Sequence, residues 1–340
     1  MSSLTVMRAG PIMSVQDRGR LGFLAKGLSR GGALDLQALA EGNALLGQDC
    51  AAIEMMGIGG VFRADRDVRI ALTGAPMQAK TGGEALVWNA SHLIQAGTVI
   101  EIGACLSGMV GYLHIGGGID TPLQLGARSP HLTAKFGAGL SPGDVLPLGE
   151  DDASETGMAL PVEDRFDGGR IRIVASFQTE MFSQKTRDRF EAATFTKDGR
   201  ATRMGAPVNS ADAPDGFAAE AGLSILSDVI TTGDIQVAGD GTPYVLMAEA
   251  QTTGGYPRIG TVIACDLPRI AQAPAGKELR FEFVPLDQAR QAVQSWHRDL
   301  DALAGKITPL LRDPAQMRDL LGYNLISGAV AGDEWELDKT

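Results

Sequence analysis

Short apolar runs recur along this chain at close intervals, set apart by glycines. Residues 68–73 form a strand-like run that halts at Gly74, and runs at 85–88, 98–102 and 109–115 follow at short spacing. Strands that close together, with no helical stretch between them, fold into a barrel or a sandwich and not into βαβ units. Glycine supplies 44 of the 340 residues, against a usual share of about 7%, and it is scattered between the runs instead of gathered in a tract. That distribution means many turns and a β-rich fold. A clean alternation restarts at 170–175, and further strands are expected near Ile235 and over 244–248, 262–264 and 279–284. Residues 150–168 are acidic and small, show no period, and read as a linker. The expected organisation is a first β-rich domain over 1–165, a second over 166–285, and a helical tail with an acidic end over 286–340.

Helical signals are few. Leu36, Leu39, Ala40, Ala44 and Leu45 stand at helical spacing within 33–46, with Gly47 as the stop. Asp35 falls in the first turn of this helix, where a carboxylate complements the positive helix end. A short helix is expected over 178–190 and a loop over 211–222. Leu286, Ala289, Val293, Trp296, Leu300 and Leu303 recur at spacings of three and four, which makes one face of an amphipathic helix that packs on its parent domain. Another short helical turn is expected at 317–321, before the acidic end at 328–340.

Composition excludes several function classes. The net charge of −11 argues against a nucleic-acid surface, which normally needs a basic patch. There is no apolar run of about 18 residues, so no membrane span is expected. Residues 1–6 lack the basic start and apolar core of a signal peptide, so the expected location is the cytoplasm. Cys50, Cys105 and Cys265 are far apart, and His92, His114, His131 and His297 show no metal-ligand spacing. Neither zinc nor a disulfide framework is expected; the cysteines read as small buried residues and His114 as a core residue. There is no GxxxxGK[ST] loop and no GxSxG elbow, and Gly116-Gly117-Gly118 leads into Ile119-Asp120-Thr121-Pro122, which is no helix start.

Three polar segments remain. The first is Gln16-Asp17-Arg18-Gly19-Arg20. The second joins Gly117-Gly118-Ile119-Asp120 to Gly126-Ala127-Arg128-Ser129. The third, Gln251-Thr252-Thr253-Gly254-Gly255-Tyr256-Pro257-Arg258, lies between two apolar runs. Polar groups in such a setting need partners, because burying them unpaired is costly, and the glycine pair permits positive φ and close backbone approach. An arginine offers a planar fork for carboxylate, carbamoyl or phosphate groups, while an amide and hydroxyls orient a small polar ligand. The set suits an anion- or amide-binding site.

These residues resemble the KipA family, which includes allophanate hydrolase subunit 2, biotin-dependent carboxyltransferase-like proteins and the C subunit of 5-oxoprolinase (PxpC). The resemblance begins with Gly10-Pro11-Ile12 and Val15-Gln16-Asp17-x-Gly19-Arg20-x-Gly22. It continues through Gly32-Ala33-Leu34-Asp35, Ala52-Ile53-Glu54, Ala71–Ala75, Gly116–Asp120, Leu125–Ser129, Gly143–Gly149 and Arg203-Met204-Gly205, and ends in the run from Gln251 to Pro257. It implies two cyclophilin-like β-barrel domains with a few short helices and a helical C-terminal extension. It also implies a KipI-like partner and a third lactam-utilisation subunit, with which relatives open 5-oxo-L-proline to L-glutamate using ATP. A related domain moves carboxylate from carboxybiotin to urea. A third role in the family is regulatory, counteracting a KipI-like kinase inhibitor.

On the resemblance, this chain is expected to be the C subunit of such an amidohydrolase, working on a small amide. No cofactor is assigned to the chain itself: ATP would contact another subunit, and carboxybiotin would enter only in the urea reading. Arg20 and Arg128 are expected to hold the substrate carboxylate or a transferred group. Gln251, Thr252 and Thr253 would orient the amide, with Gly254, Gly255 and Tyr256 lining the site, and Asp17 or Asp35 would serve as acid–base. Many relatives carry Asp-Arg before the Gln-Thr-Thr-Gly-Gly run, whereas Glu249-Ala250 stands here. Arg30, an extra cation in the early motif, is the expected replacement for the missing one.

Overall fold

The strand Val68–Gly74 is buried along its whole length, a pattern that demands cover on both faces. Its alternate residues go two ways. Val68, Ile70 and Leu72 enter a core between two sheets. Thr73 donates its hydroxyl to Ala38 O at 2.8 Å and Ala71 packs with Leu45 and Leu46, so this face is covered by helix α1 (Leu36–Leu46).

The computed structural model describes residues 2–161 and 163–310. In the first half a six-stranded sheet runs in the order Val145–Pro147, Ser3–Arg8, Val61–Ala64, Val99–Cys105, Met77–Thr81, Glu84–Ala85. A seven-stranded sheet runs Met13–Gln16, Ala52–Met56, Val110–Ile115, Val68–Gly74, Ala90–Ile94, Met158–Ala159, Thr308–Pro309. Leu4, Phe62, Ile100 and Leu113 fill the space between the two. In the second half seven strands close into a barrel: Gly169–Val174, Arg258–Val262, Asp234–Val237, Pro243–Leu246, Gly205–Asn209, Phe195–Lys197 and Glu278–Phe283, which returns in parallel to Gly169–Val174. The fold is mainly β, as expected. Among the described residues only the second half closes as a hydrogen-bonded barrel; the first half is two facing sheets.

Helix α2 (Gln184–Ala192) stoppers the barrel with Phe190, whose ring meets Phe195, Phe217 and Phe281 at centroid distances of 4.9–5.2 Å. It starts later than the sequence suggests, because Thr179–Met181 is a 3₁₀ turn and Ser183 is the cap. The strand expected at 262–264 ends at Val262; Ala264–Asp266 is a 3₁₀ turn leading into α3 (Leu267–Gln272), whose Pro268 suits a helix start. The run at 85–88 keeps strand pairing only at Glu84–Ala85, since Trp88 turns to donate Nε1–H to Gly74 O at 3.0 Å. The three cysteines are partly exposed rather than buried.

The acidic linker has a single two-residue strand, Met158–Ala159, yet it is tied down. Arg69 grips Asp151 through two contacts of 2.7 and 2.9 Å. Beyond the barrel, α4 (Leu286–Asp301) crosses from one half to the other. Ala289, Ala292 and Val293 pack with Ile263 and Val284, while Leu300 and the following Leu303 pack on Leu45, Leu46 and Leu160. Leu286 departs from the expected apolar face and is exposed. The chain then returns to pair Thr308–Pro309 with Met158–Ala159. The turn expected at 317–321 and the acidic end at 328–340 lie outside the described residues. No helix among the described residues is long and apolar enough to cross a membrane.

One guanidinium joins the halves. Arg203, just before a barrel strand, reaches Glu54 on Ala52–Met56, donates Nε–H to Glu249 Oε1 at 2.5 Å and Nη2–H to Gly32 O at 2.6 Å. Glu54 also accepts from Tyr112 Oη at 2.6 Å and from Leu34 N at 2.8 Å. Burial works against the Arg203 charge, yet Glu54 and Glu249 raise its pKa above the ordinary arginine value. Burial alone would raise the Glu249 carboxyl; Arg203 and the Thr133 amide hold it below the usual range. Removing one partner from a buried ionic cluster leaves uncompensated charge, which costs about 3–5 kcal/mol. Arg203→Met is therefore expected to lower unfolding free energy by about that amount, measured by urea titration; a loss under about 1 kcal/mol would remove the cluster from its role as the joint.

Helix α1 carries a second expectation. Gly42 lies mid-helix, where glycine costs about 1 kcal/mol relative to alanine. The buried His114 ring presses against it, so that a β-carbon there would overlap the imidazole. Gly42→Ala should thus destabilise by about 1–3 kcal/mol through overpacking, and stabilisation on urea unfolding would refute this packing. Burial pushes the His114 pKa down to about 3 from 6.5, so in that window the unfolded chain binds the extra proton. Stability should fall as pH drops from 6.5 towards 3, with a His114 contribution near 1.4 kcal/mol per pH unit at most, to order of magnitude. His114→Gln should flatten the slope of urea stability against pH; an unchanged slope would contradict the assignment.

Candidate functional site

Glu249, anchored by Arg203, is followed directly by Ala250 and Gln251, so the joint between the halves also fixes the entry to the third polar segment. Backbone bonds hold that segment in place. Thr252 O accepts from Ile230 N at 3.0 Å, Thr253–Gly254 pairs with Asp228–Val229, and Gly255 O accepts from Ile225 N at 2.8 Å. Neither Gly254 nor Gly255 has positive φ, so the expected need for left-handed backbone is not met. Gly254 is required for close approach instead, since a β-carbon there would strike Gln236 Nε2.

Arg258 ends the segment as a structural clamp. Its guanidinium donates to Asp228 Oδ2 at 2.6 Å, Val229 O at 2.9 Å, Gln178 Oε1 at 3.0 Å and Asp234 Oδ2 at 3.1 Å. Gln251 and Tyr256 instead line a cavity of about 490 Å³ on the barrel, together with Ala250, Gln236, Tyr244 and Arg200. Gln236 donates Nε2–H to Tyr256 O at 3.3 Å, which turns its Oε1 to other partners. Gln236, Tyr244 and Arg200 do not stand out in the sequence. The available signal for Gln236 is an amide within an otherwise apolar strand, Ile235 to Val237. For Arg200 it is the Asp198-Gly199 turn that precedes it.

The first two segments meet each other, around a different cavity. Asp17 accepts from Gly19 N at 2.8 Å and Arg128 N at 2.6 Å, and Ser129 Oγ contacts it as well. Asp17 and Arg128 line a cavity of about 300 Å³ with Asp49, Cys50 and Gly118. The Arg128 fork is occupied by Asp120 Oδ1 at 2.6 Å and by Thr121 O. Arg20 is buried, with Nε donating to Gln124 O at 3.0 Å, Nη2 against Ser129 O, and Nη1 without a protein partner among the described residues. Burial pulls its pKa down, with Asp17 and Glu249 opposing. The two cavities share no lining residue, although the loops that bear them touch: Gly31 N donates to Ala248 O at 2.9 Å.

Asp35 sits apart from both cavities. It is fully buried and caps α1 through Ala38 N at 2.9 Å. Its other oxygen accepts from Arg165 Nε and Gln272 Nε2, both at 2.8 Å. Those bonds leave it no path to a substrate proton. Arg30 is also elsewhere than expected. It donates to Arg18 O at 2.5 Å and Ala33 O at 3.5 Å and lines a groove with Leu36 and Trp296, away from Ala250.

A buried line of Ser29, His131 and Glu249 has the composition of a nucleophile, base and acid, but its protons run the wrong way. His131 Nδ1 accepts from Ala134 N at 3.1 Å, so Nε2 carries the hydrogen and donates to Ser29 Oγ at 2.8 Å. That tautomer, fixed by its partners, cannot take the serine proton.

Comparison with known proteins agrees with this architecture. Residues 26–283 match the family described as carboxyltransferase domain, subdomain A and B. The chain is 34% identical to the C subunit of 5-oxoprolinase from Escherichia coli strain K12 over 315 residues, which covers 89% of this chain and 98% of that protein. The crystal structure of TTHA0988 superposes with a TM-score of 0.75 at 29% identity, covering 83% of this chain and 56% of the other. The K. lactis urea amidolyase structure has the same fold, with a TM-score of 0.79 at 21% identity over 92% of this chain and 21% of that one. The chain thus spans about half of the first solved structure and about a fifth of the second. A fold with a closed barrel, a cavity on it beside the Gln251 segment, and a sequence match running from before α1 to the last barrel strand place this chain in the carboxyltransferase subdomain A and B family, together with the C subunit of 5-oxoprolinase.

Proposed function

We propose that this chain is the C subunit of an ATP-dependent 5-oxoprolinase-type complex, and that the barrel cavity beside Gln251 holds the lactam. The observation that carries the reading is this cavity of about 490 Å³ in a chain 34% identical to a 5-oxoprolinase C subunit. Its walls offer what a small cyclic amide needs: amides from Gln236 and Gln251, phenols from Tyr244 and Tyr256, and apolar floor from Ile230, Leu246 and Ala250. Mostly apolar walls with a few placed polar groups are the usual make-up of small-molecule sites.

In the reaction the lactam C–N bond breaks, hydroxide from water adds to the carbonyl carbon and a proton goes to the nitrogen, with ATP supplying the drive. Gln251 and Gln236 orient the amide, while Thr252, Thr253, Gly254 and Gly255, which do not line the cavity, tie the Gln251 segment to residues 225–230. Asp17, Arg20 and Arg128 hold the loops around the separate first-half cavity and Asp35 caps α1, so proton transfer at the barrel cavity falls to a group from another subunit. A KipI-like protein and a third lactam-utilisation protein complete the enzyme, and ATP binds on one of them.

A urea-directed carboxyltransferase is the second reading, favoured by the family description and by the 23% identity to urea amidolyase of Saccharomyces cerevisiae. The complex reconstituted with its partner subunits separates the two. Release of L-glutamate from 5-oxo-L-proline with ATP and without bicarbonate is expected; bicarbonate- and biotin-dependent loss of urea would establish the rival. Gln251→Ala should lower kcat/KM for 5-oxo-L-proline by about tenfold or more, the scale of one lost hydrogen bond to a buried ligand group. An unchanged value would move the substrate out of this cavity.

A further inference from the structure

We propose that Arg200 reads the substrate's carboxylate, so that this pocket selects lactams bearing an acid over neutral amides. The inference rests on the pocket assignment above. Of the side chains that line the cavity, all within the described residues, Arg200 alone carries a formal charge. An anionic ligand in this cavity therefore has one cation to meet. The floor supplies none, because Ala250 is small, apolar and buried. Arg30 does not supply one either, since its guanidinium is spent on Arg18 O and Ala33 O outside this cavity.

The Arg200 fork is also oriented in advance. Asp198 accepts from Arg200 N at 2.8 Å, Nε at 3.0 Å and Nη2 at 2.7 Å. Asn209 Nδ2 donates to the same carboxylate at 3.0 Å and keeps it in place on the neighbouring strand. These bonds, the one from the Arg200 side chain foremost, hold the Asp198 carboxyl well below its usual range, so the clamp stays ionised at working pH. The Nε–Nη2 edge is thereby occupied. Nη1 has no protein acceptor among the described residues, and the side chain is 73% exposed. A carboxylate prefers such a planar fork to a point charge, because two parallel N–H donors match its two oxygens. In 5-oxo-L-proline the carboxylate is carried on the carbon next to the lactam nitrogen. A lactam N–H met by Gln236 Oε1 and an acid met by Arg200 would use two groups of the same cavity lining.

The test uses the reconstituted complex, 5-oxo-L-proline as substrate and 2-pyrrolidinone, the same lactam without its acid, as competitor. Arg200→Met should lower kcat/KM for 5-oxo-L-proline by about tenfold or more, the scale of a charge-assisted hydrogen bond at a wet site. It should act mainly through KM and leave the inhibition constant of 2-pyrrolidinone within about twofold, since that ligand has no charge to lose. Arg200→Lys should recover part of the loss. Equal weakening of both ligands would show a structural role and overturn the proposal, as would unchanged use of 5-oxo-L-proline by Arg200→Met. If that null result comes with a damaged Gln251→Ala variant, the pocket stands and only Arg200 falls. If Gln251→Ala is also unaffected, the pocket assignment itself fails.

Discussion

The structure turns on Arg203, a buried guanidinium held between a carboxylate from each half of the molecule. Glu54 comes from the first half and Glu249 from the second. A charge taken out of water is tolerated only with its partners in place, so the two halves are held in one register. The consequences run outward in both directions. Glu249 precedes the Gln251 segment, so the wall of the barrel cavity is positioned from the joint. Glu54 accepts from Leu34 N and Tyr112, and Tyr112 in turn accepts from Asp35 N at 2.9 Å. The start of α1 is thereby set by the same cluster.

A second ionic cluster repeats the device on the far side of the helix. Arg165, from the acidic connecting segment, bridges Asp35 and Glu41 with contacts of 2.8 and 2.9 Å. Gln272 at the end of α3 joins Asp35 and also meets Val110 on the strand Val110–Ile115 of the first half. With α4 packed across both halves, the molecule has polar pins inside and an apolar strap outside. The cavity beside Gln251 sits on a barrel wall whose position these contacts determine, as sites built on rigid elements require.

Much of this was legible in the sequence, and for identifiable reasons. Glycine spacing exposed the strands, because each turn must be punctuated where the backbone reverses. The helix over 36–46 announced itself through its apolar period, with Gly47 as its stop. Asp35 was visible as a helix-start carboxylate, and that role is the one the structure gives it; the acid–base role suggested by the resemblance does not fit a carboxylate so fully bonded. Arg20 and Arg128 were chosen for their chemistry, but sequence does not show the carbonyls of Gln124, Ser129 and Thr121 that take up their forks. Arg200 and Gln236 were missed because they reach the cavity from separate parts of the barrel, and alternation tells only which residues face in. The Gln251 run stood out because its polarity interrupts two apolar strands, a local contrast that needs no tertiary knowledge. The joint at Arg203 pairs residues distant in sequence, although its three members each fell within or beside a motif that the resemblance had marked.

We propose that the carboxylate-bearing lactam occupies the barrel cavity and not the cavity of the first two segments. The most direct measurement is a crystal structure of the reconstituted complex with 5-oxo-L-proline bound. Density is expected between Gln236, Gln251 and Arg200, with the acid against the Arg200 fork. Density beside Asp17 and Arg128, with the barrel cavity empty, would contradict this placement.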